Sequence, residues 1–128
     1  MPVTTNVAFL HLAAKHLVSA ELSLNGYDAT VCDTIPRDVV AINGHGDAVT
    51  IKVLAARTDD PGKIGYIRRE KFDYLAIVLI DEKGGRVVFF VSRAVADDAF
   101  GNAATRLMLV RDVPLAFAAN KGRIVLAG

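Results

Sequence analysis

A single cysteine, Cys32, stands in 128 residues, so no internal disulfide can hold the fold. That fits a reducing compartment. There is no Cys-x-x-Cys pair and no His/Cys cluster, which argues against a structural zinc site. His11 and His16 miss the i, i+4 spacing of paired metal ligands on a helix, and His45 falls on a turn; all three read as surface or packing residues. Cys32 has no basic partner fixed by sequence and reads as a small core residue. Long apolar runs are also missing: none approaches the roughly 18 residues of a membrane helix. The opening Met1-Pro2-Val3-Thr4-Thr5-Asn6 lacks the basic start and apolar segment of a secretory signal, so a cytoplasmic location is expected. Charge of one sign is lacking too. Fifteen basic residues stand against 14 acidic ones for a net charge of +1, so any nucleic-acid surface must come from local clustering. No Gly-Lys-Ser/Thr follows Gly44-His45-Gly46 or Gly84-Gly85, so neither is a phosphate loop.

The chain does have apolar residues, at 52% with a mean hydropathy of +0.35. That excess belongs in one core, and partly in an oligomer interface. Phe89, Phe90, Phe100 and Phe117 concentrate in the second half and favour a homodimer. No repeat, low-complexity tract or linker divides the sequence, so residues 1–128 are expected to form a single domain.

Thr4, Thr5 and Asn6 are candidate caps for an amphipathic helix over Val7 to Asn25, with apolar residues at Leu10, Ala13, Ala14, Leu17, Val18 and Leu24. Gly26 is its expected left-handed cap. Tyr27 to Asp33 reads as a strand, and Ile35-Pro36-Arg37 turns the chain. Asp38 to Arg57 then forms a hairpin, with Gly44 to Asp47 as the turn and positive φ expected at the glycines beside His45. Ile64 to Phe72 is a short helix or an irregular segment. Tyr74 to Ile80 is apolar almost throughout, as in a central strand covered on both faces. Arg86 to Val91 follows as a strand after the turn at Asp81 to Gly85. Ser92 caps a helix that ends at Gly101. Leu107 to Val110 is a short strand, and Pro114 opens a last short helix. Ile124 to Leu126 is an edge-strand candidate. The expected class is α/β (α+β): one antiparallel-rich mixed sheet with helices packed on it, in the order α-β-β-β-(α)-β-β-α.

This order resembles the restriction-endonuclease-like fold of the PD-(D/E)XK nuclease superfamily, and in particular its small bacterial members and archaeal Holliday junction resolvases. The resemblance rests on Leu22-Ser23-Leu24-Asn25-Gly26-Tyr27, Asp38-Val39-Val40-Ala41-Ile42, Ile51-Lys52-Val53-Leu54-Ala55-Ala56 and Phe72-Asp73-Tyr74-Leu75. It covers residues 8 to 95 and leaves 96–128 as a C-terminal extension. It implies a site in which two carboxylates hold Mg²⁺, a lysine assists the attacking water, and a helix glutamate completes the ligands.

In this chain Asp38 matches the first carboxylate. Lys52 takes the place of the second, Leu54 that of the lysine, and Lys15 that of the helix glutamate. A register shifted by two makes Lys52 the catalytic lysine but leaves Thr50 where the carboxylate belongs. Neither register restores a metal site, so the resemblance implies a vestigial site of Asp38, Lys52, Leu54 and Lys15, with no cofactor. Asp38 either pairs with one of the two lysines, Lys15 or Lys52, as an internal salt bridge, or those lysines bind a phosphate or acidic ligand. Arg57, Lys63, Arg68, Arg69 and Lys71 form the one local basic region, interleaved with Asp59, Asp60, Glu70 and Asp73.

The leading expectation is therefore a catalytically inactive nuclease-like domain that binds or assembles. Nucleic acid is its candidate ligand, through Lys15, Lys52, Arg57, Arg68 and Arg69. One alternative is a metal-dependent DNA endonuclease in which Asp38 holds Mg²⁺ with ligands moved to Asp33, Asp47 or Glu21. Another is an immunity- or inhibitor-like subunit that binds a protein.

Overall fold

The computed structural model describes residues 7–33, 38–67, 70–101, 105–122 and 124–126. The elements are α1 (Val7–Leu24), β1 (Asp28–Val31), β2 (Val39–Ile42), β3 (Ala48–Arg57), β4 (Lys63–Ile67), β5 (Tyr74–Ile80), β6 (Arg86–Ser92), α2 (Arg93–Phe100), β7 (Thr105–Leu109) and α3 (Val113–Ala116). Short 3₁₀ turns flank α3 at Val110–Asp112 and Ala118–Asn120. The cap candidates Thr4, Thr5 and Asn6 and the turn at 35–37 lie outside the described residues.

Five strands form one sheet in the order β1-β2-β3-β5-β6. Every neighbouring pair is antiparallel except β3 and β5, which run parallel with Ile51 opposite Tyr74 and Arg57 opposite Ile80. The result is a mixed α+β fold, mostly antiparallel, with helices packed on the sheet. Alternation along β5 explains its apolar run. Tyr74, Ala76 and Val78 join α1's Ala14, Val18 and Leu22 in one core. Leu75, Ile77 and Leu79 enter a second core with Ala96 and Phe100 of α2, Val113 of α3 and Phe117. Both faces are covered, so no polar alternation is needed.

Helix α1 ends where expected. Gly26 takes φ +87°, its N–H donates to Ser23 O at 3.0 Å, and Tyr27 N–H donates to Leu22 O at 3.0 Å. These are the two bonds of a Schellman cap, which satisfies carbonyls the helix leaves open. At the hairpin tip only one of the two glycines adopts the positive φ expected of both, Gly46 at +83°. Asn43 does the rest: its Oδ1 accepts from His45 N at 3.0 Å and Asp47 N at 2.9 Å.

Two expectations need correction. Ile64 to Phe72 does not start with a helix; it starts with β4, which pairs antiparallel with β7 in a separate two-stranded sheet. Ile64 and Tyr66 alternate inward to the second core, a period-2 signal masked in the sequence by the charged run after Ile67. Ile124 to Leu126 is not a strand. Lys121 makes the single bridge to Phe89, while Leu126 N–H donates to Tyr27 Oη at 3.2 Å and Ile124 and Leu126 bury against the α1 side.

Candidate buried charge site

The site forms where β2 stops covering β3. Pairing with β2 starts at Val39 opposite Ile51. Ile51 O accepts from Asp38 N at 3.2 Å, so the odd-numbered backbone groups of β3 face that side. Thr58 N donates to Ile80 O and Asp73 N to Thr50 O, so the even-numbered ones face β5. Val53 therefore points its N–H and C=O past the beginning of β2. Side chains take both groups. Asp38 Oδ2 accepts from Val53 N at 2.7 Å, and His11 Nε2, from α1, lies 3.0 Å from Val53 O. A carbonyl cannot donate, so His11 Nε2 carries the proton. A parallel device sits at the start of β5, where Asp73 Oδ2 accepts from Thr50 N at 2.8 Å and Thr50 Oγ1 at 3.1 Å.

Around Asp38 the charges close on one another. Asp38 is 1% exposed. Its Oδ1 lies 3.3 Å from His11 Nε2 and 3.5 Å from Lys15 Nζ, and its Oδ2 lies 4.0 Å from Lys52 Nζ. Lys15 also donates to Cys32 O at 2.8 Å. Lys52 Nζ lies 3.2 Å from Glu70 Oε2. That oxygen is buried and forms no hydrogen bond among the described residues, so the ammonium meets it as an ion pair. Two ammonium groups thus face two carboxylates inside the protein. Burying any one of them alone would cost several kcal/mol, roughly, whereas the set offsets its own desolvation. His11, at 36% side-chain exposure, is the member of the cluster nearest solvent.

Lys15, Asp38 and Lys52, which the sequence places apart, meet here. Leu54 does not join them; it packs against the second core, on the side of Leu75 and Ile77. Arg57 lies farther along β3 and pairs with Asp59 at 3.6 Å. Arg68 and Arg69 fall outside the described residues. Asp47 is at the hairpin tip, about 17 Å of extended strand from Lys52. Asp33 is exposed after β1. Glu21 lies toward the other end of α1, beside Arg86 and Lys121. His16 and His45 are exposed.

His11 and Glu70 are members that sequence reasoning does not reach. His11's i+4 relation to Lys15 was a usable signal, since it puts both on the same helix face. Glu70 sits in a charged run with nothing to distinguish it. Its carbonyl accepts from Arg93 Nη1 at 2.7 Å, and Arg93 stacks 4.1 Å from the Phe72 ring centre. Those contacts tie the acid to the start of α2.

The donor set does not fit a divalent cation. Asp38 already receives an amide and faces an imidazole and two ammonium groups. No group of three or more His, Cys, Asp or Glu side chains suited to a metal occurs among the described residues. Beyond Val53 the open side of β3 borders a groove of about 590 Å³ lined by Leu10, Ala55, Arg57, Asp59, Lys63 and Ile64. No helix among the described residues is long and apolar enough to cross a membrane.

No protein-family model and no curated protein matches the chain. Among solved structures, a bacterial homing endonuclease is similar, with a TM-score of 0.58 and 11% identity over 83% of this chain and 77% of that one. At that identity the likeness is one of fold.

Proposed function

We propose that this chain is a catalytically silent, nuclease-like domain of the PD-(D/E)XK type that binds nucleic acid without a metal ion. One observation carries the silent reading: Lys52 Nζ sits 4.0 Å from Asp38 and 3.2 Å from Glu70. A magnesium-dependent nuclease holds a mobile divalent cation on its carboxylates. In this chain the carboxylates are met by cations fixed to the backbone, so they have no charge left to attract one.

The binding reading draws support from the fold likeness to a homing endonuclease and from the basic connector between β3 and β5. Lys15 and Lys52 are committed inside, so phosphate contact falls to Arg57, Lys63, Arg68, Arg69 and Lys71. Lys63 and Lys71 are exposed. Interleaved Asp59 and Asp60 keep the affinity modest and the contact non-specific. Three or four phosphate contacts would weaken binding roughly 40- to 150-fold between 50 and 200 mM salt.

Branched and linear duplexes incubated with the protein and Mg²⁺ or Mn²⁺ should stay intact. They should shift at low salt, and Arg68→Ala with Arg69→Ala should weaken the shift. Cleavage that disappears in Asp38→Asn, a variant that keeps the acceptor for Val53, would overturn the silent site. No shift at low salt would overturn nucleic-acid binding.

A further inference from the structure

Eighteen residues of α1 carry only two fully charged side chains, Lys15 and Glu21. Lys15 turns inward to Asp38, and Glu21 is half-buried. The outward face is Phe9, Leu12, Ala13, His16, Ala20, Ser23 and Leu24, all exposed and apolar except His16 and Ser23, with Phe9 at 70% and Leu24 at 82%. A soluble helix normally puts charge on its outer face. Contiguous exposed apolar surface of this kind marks an interface.

We propose that this face is the contact between two copies of the chain, with the two α1 helices packed antiparallel about a two-fold axis beside His16. The spacing favours a second copy over a different partner. Phe9 and Leu24 lie equally far on either side of a point between His16 and Leu17, and so do Ala13 and Ala20. An antiparallel two-fold therefore sets Phe9 against the partner copy's Leu24 and Ala13 against its Ala20. Large side chains meet at the ends, and the small Ala13 and Ala20 flank the central His16, with the helix axes about 8–10 Å apart. The pattern is self-complementary, as a closed two-fold interface requires. It also carries no acidic or lysine side chain that an oppositely charged partner would need. At about 1.5 Å per residue α1 is ~27 Å long, enough for a small interface, so the dimer should be weak and reversible.

Sedimentation across roughly 1–300 µM, the range suited to a small interface, should show the mass rising from one copy to two. Ala20→Glu should remain a monomer throughout while keeping the wild-type circular dichroism. Geometry is read by cross-linking in a Cys32→Ser background. Ala13→Cys mixed with Ala20→Cys should oxidise to a dimer much faster than either alone, and His16→Cys should cross-link by itself. A wild-type chain that is monomeric across the range overturns the proposal. So does Ala13→Cys cross-linking alone as fast as the mixture, which would mean a parallel or different contact.

Discussion

Replacing Asp38 by alanine tests whether the buried charges are a mutually dependent set. The change removes the acceptor for Val53 N–H and the carboxylate facing Lys15, Lys52 and His11. An orphaned buried amide costs about 1–3 kcal/mol. A buried ammonium stripped of its partner costs about 3–5 kcal/mol. The two do not simply add, because Lys15 keeps Cys32 O and Lys52 keeps Glu70. A net loss of about 3–4 kcal/mol follows, which for a chain of this size lowers Tm by roughly 10–20 °C. Asp38→Asn retains an oxygen for Val53 and should lose about half as much. The decisive variant is Asp38→Ala combined with Lys15→Met. Once the carboxylate is gone, removing the stranded ammonium should return about 1.5–3 kcal/mol relative to additivity. Urea unfolding followed by circular dichroism gives all four corners of the cycle. A loss below about 1 kcal/mol in Asp38→Ala, or additivity within about 0.5 kcal/mol, would refute the reasoning.

Two further outcomes follow from local geometry. Gly26→Ala places a Cβ on a residue at φ +87° and should cost about 1–2 kcal/mol, read as a lower urea midpoint with unchanged slope. Tyr66→Phe removes the 2.6 Å bond from Tyr66 Oη to Asp97 Oδ1 but keeps the ring against Phe72 and Phe100. It should cost about 1.5–3 kcal/mol by thermal unfolding, because the acceptor is a carboxylate.

Much of the site could be read in the primary structure because strand pairing is local arithmetic. A hairpin whose second strand alternates from Val49 to Val53 carries Lys52 to the start of its partner, beside Asp38. Counting helical turns back from Gly26 reaches Lys15 by the same kind of reckoning. His11 escaped because one of its partners is the carbonyl of Val53, which has no identity in the sequence. β4 escaped for a related reason. Five residues with two inward side chains give too short an alternation to outweigh the Arg68-Arg69-Glu70-Lys71 run beside them. Its partner, β7, was legible as a strand at Leu107 to Val110, but it lies far off in the chain, where no local pattern announces the pairing.

That distant pairing governs when the molecule can fold. β3 and β5 are parallel, so the chain must cross between them, and β4 lies in that crossing. Among the described residues β4 is paired along its length only with Thr105–Leu109, some forty positions later. Loop-closure entropy across that interval must be overcome before the crossing is anchored, which raises contact order and slows folding. During synthesis α1 and the first hairpin can associate while the ribosome is still adding the later segments. The crossing that carries Glu70 to Lys52 gains its strand partner only after Leu109 has emerged.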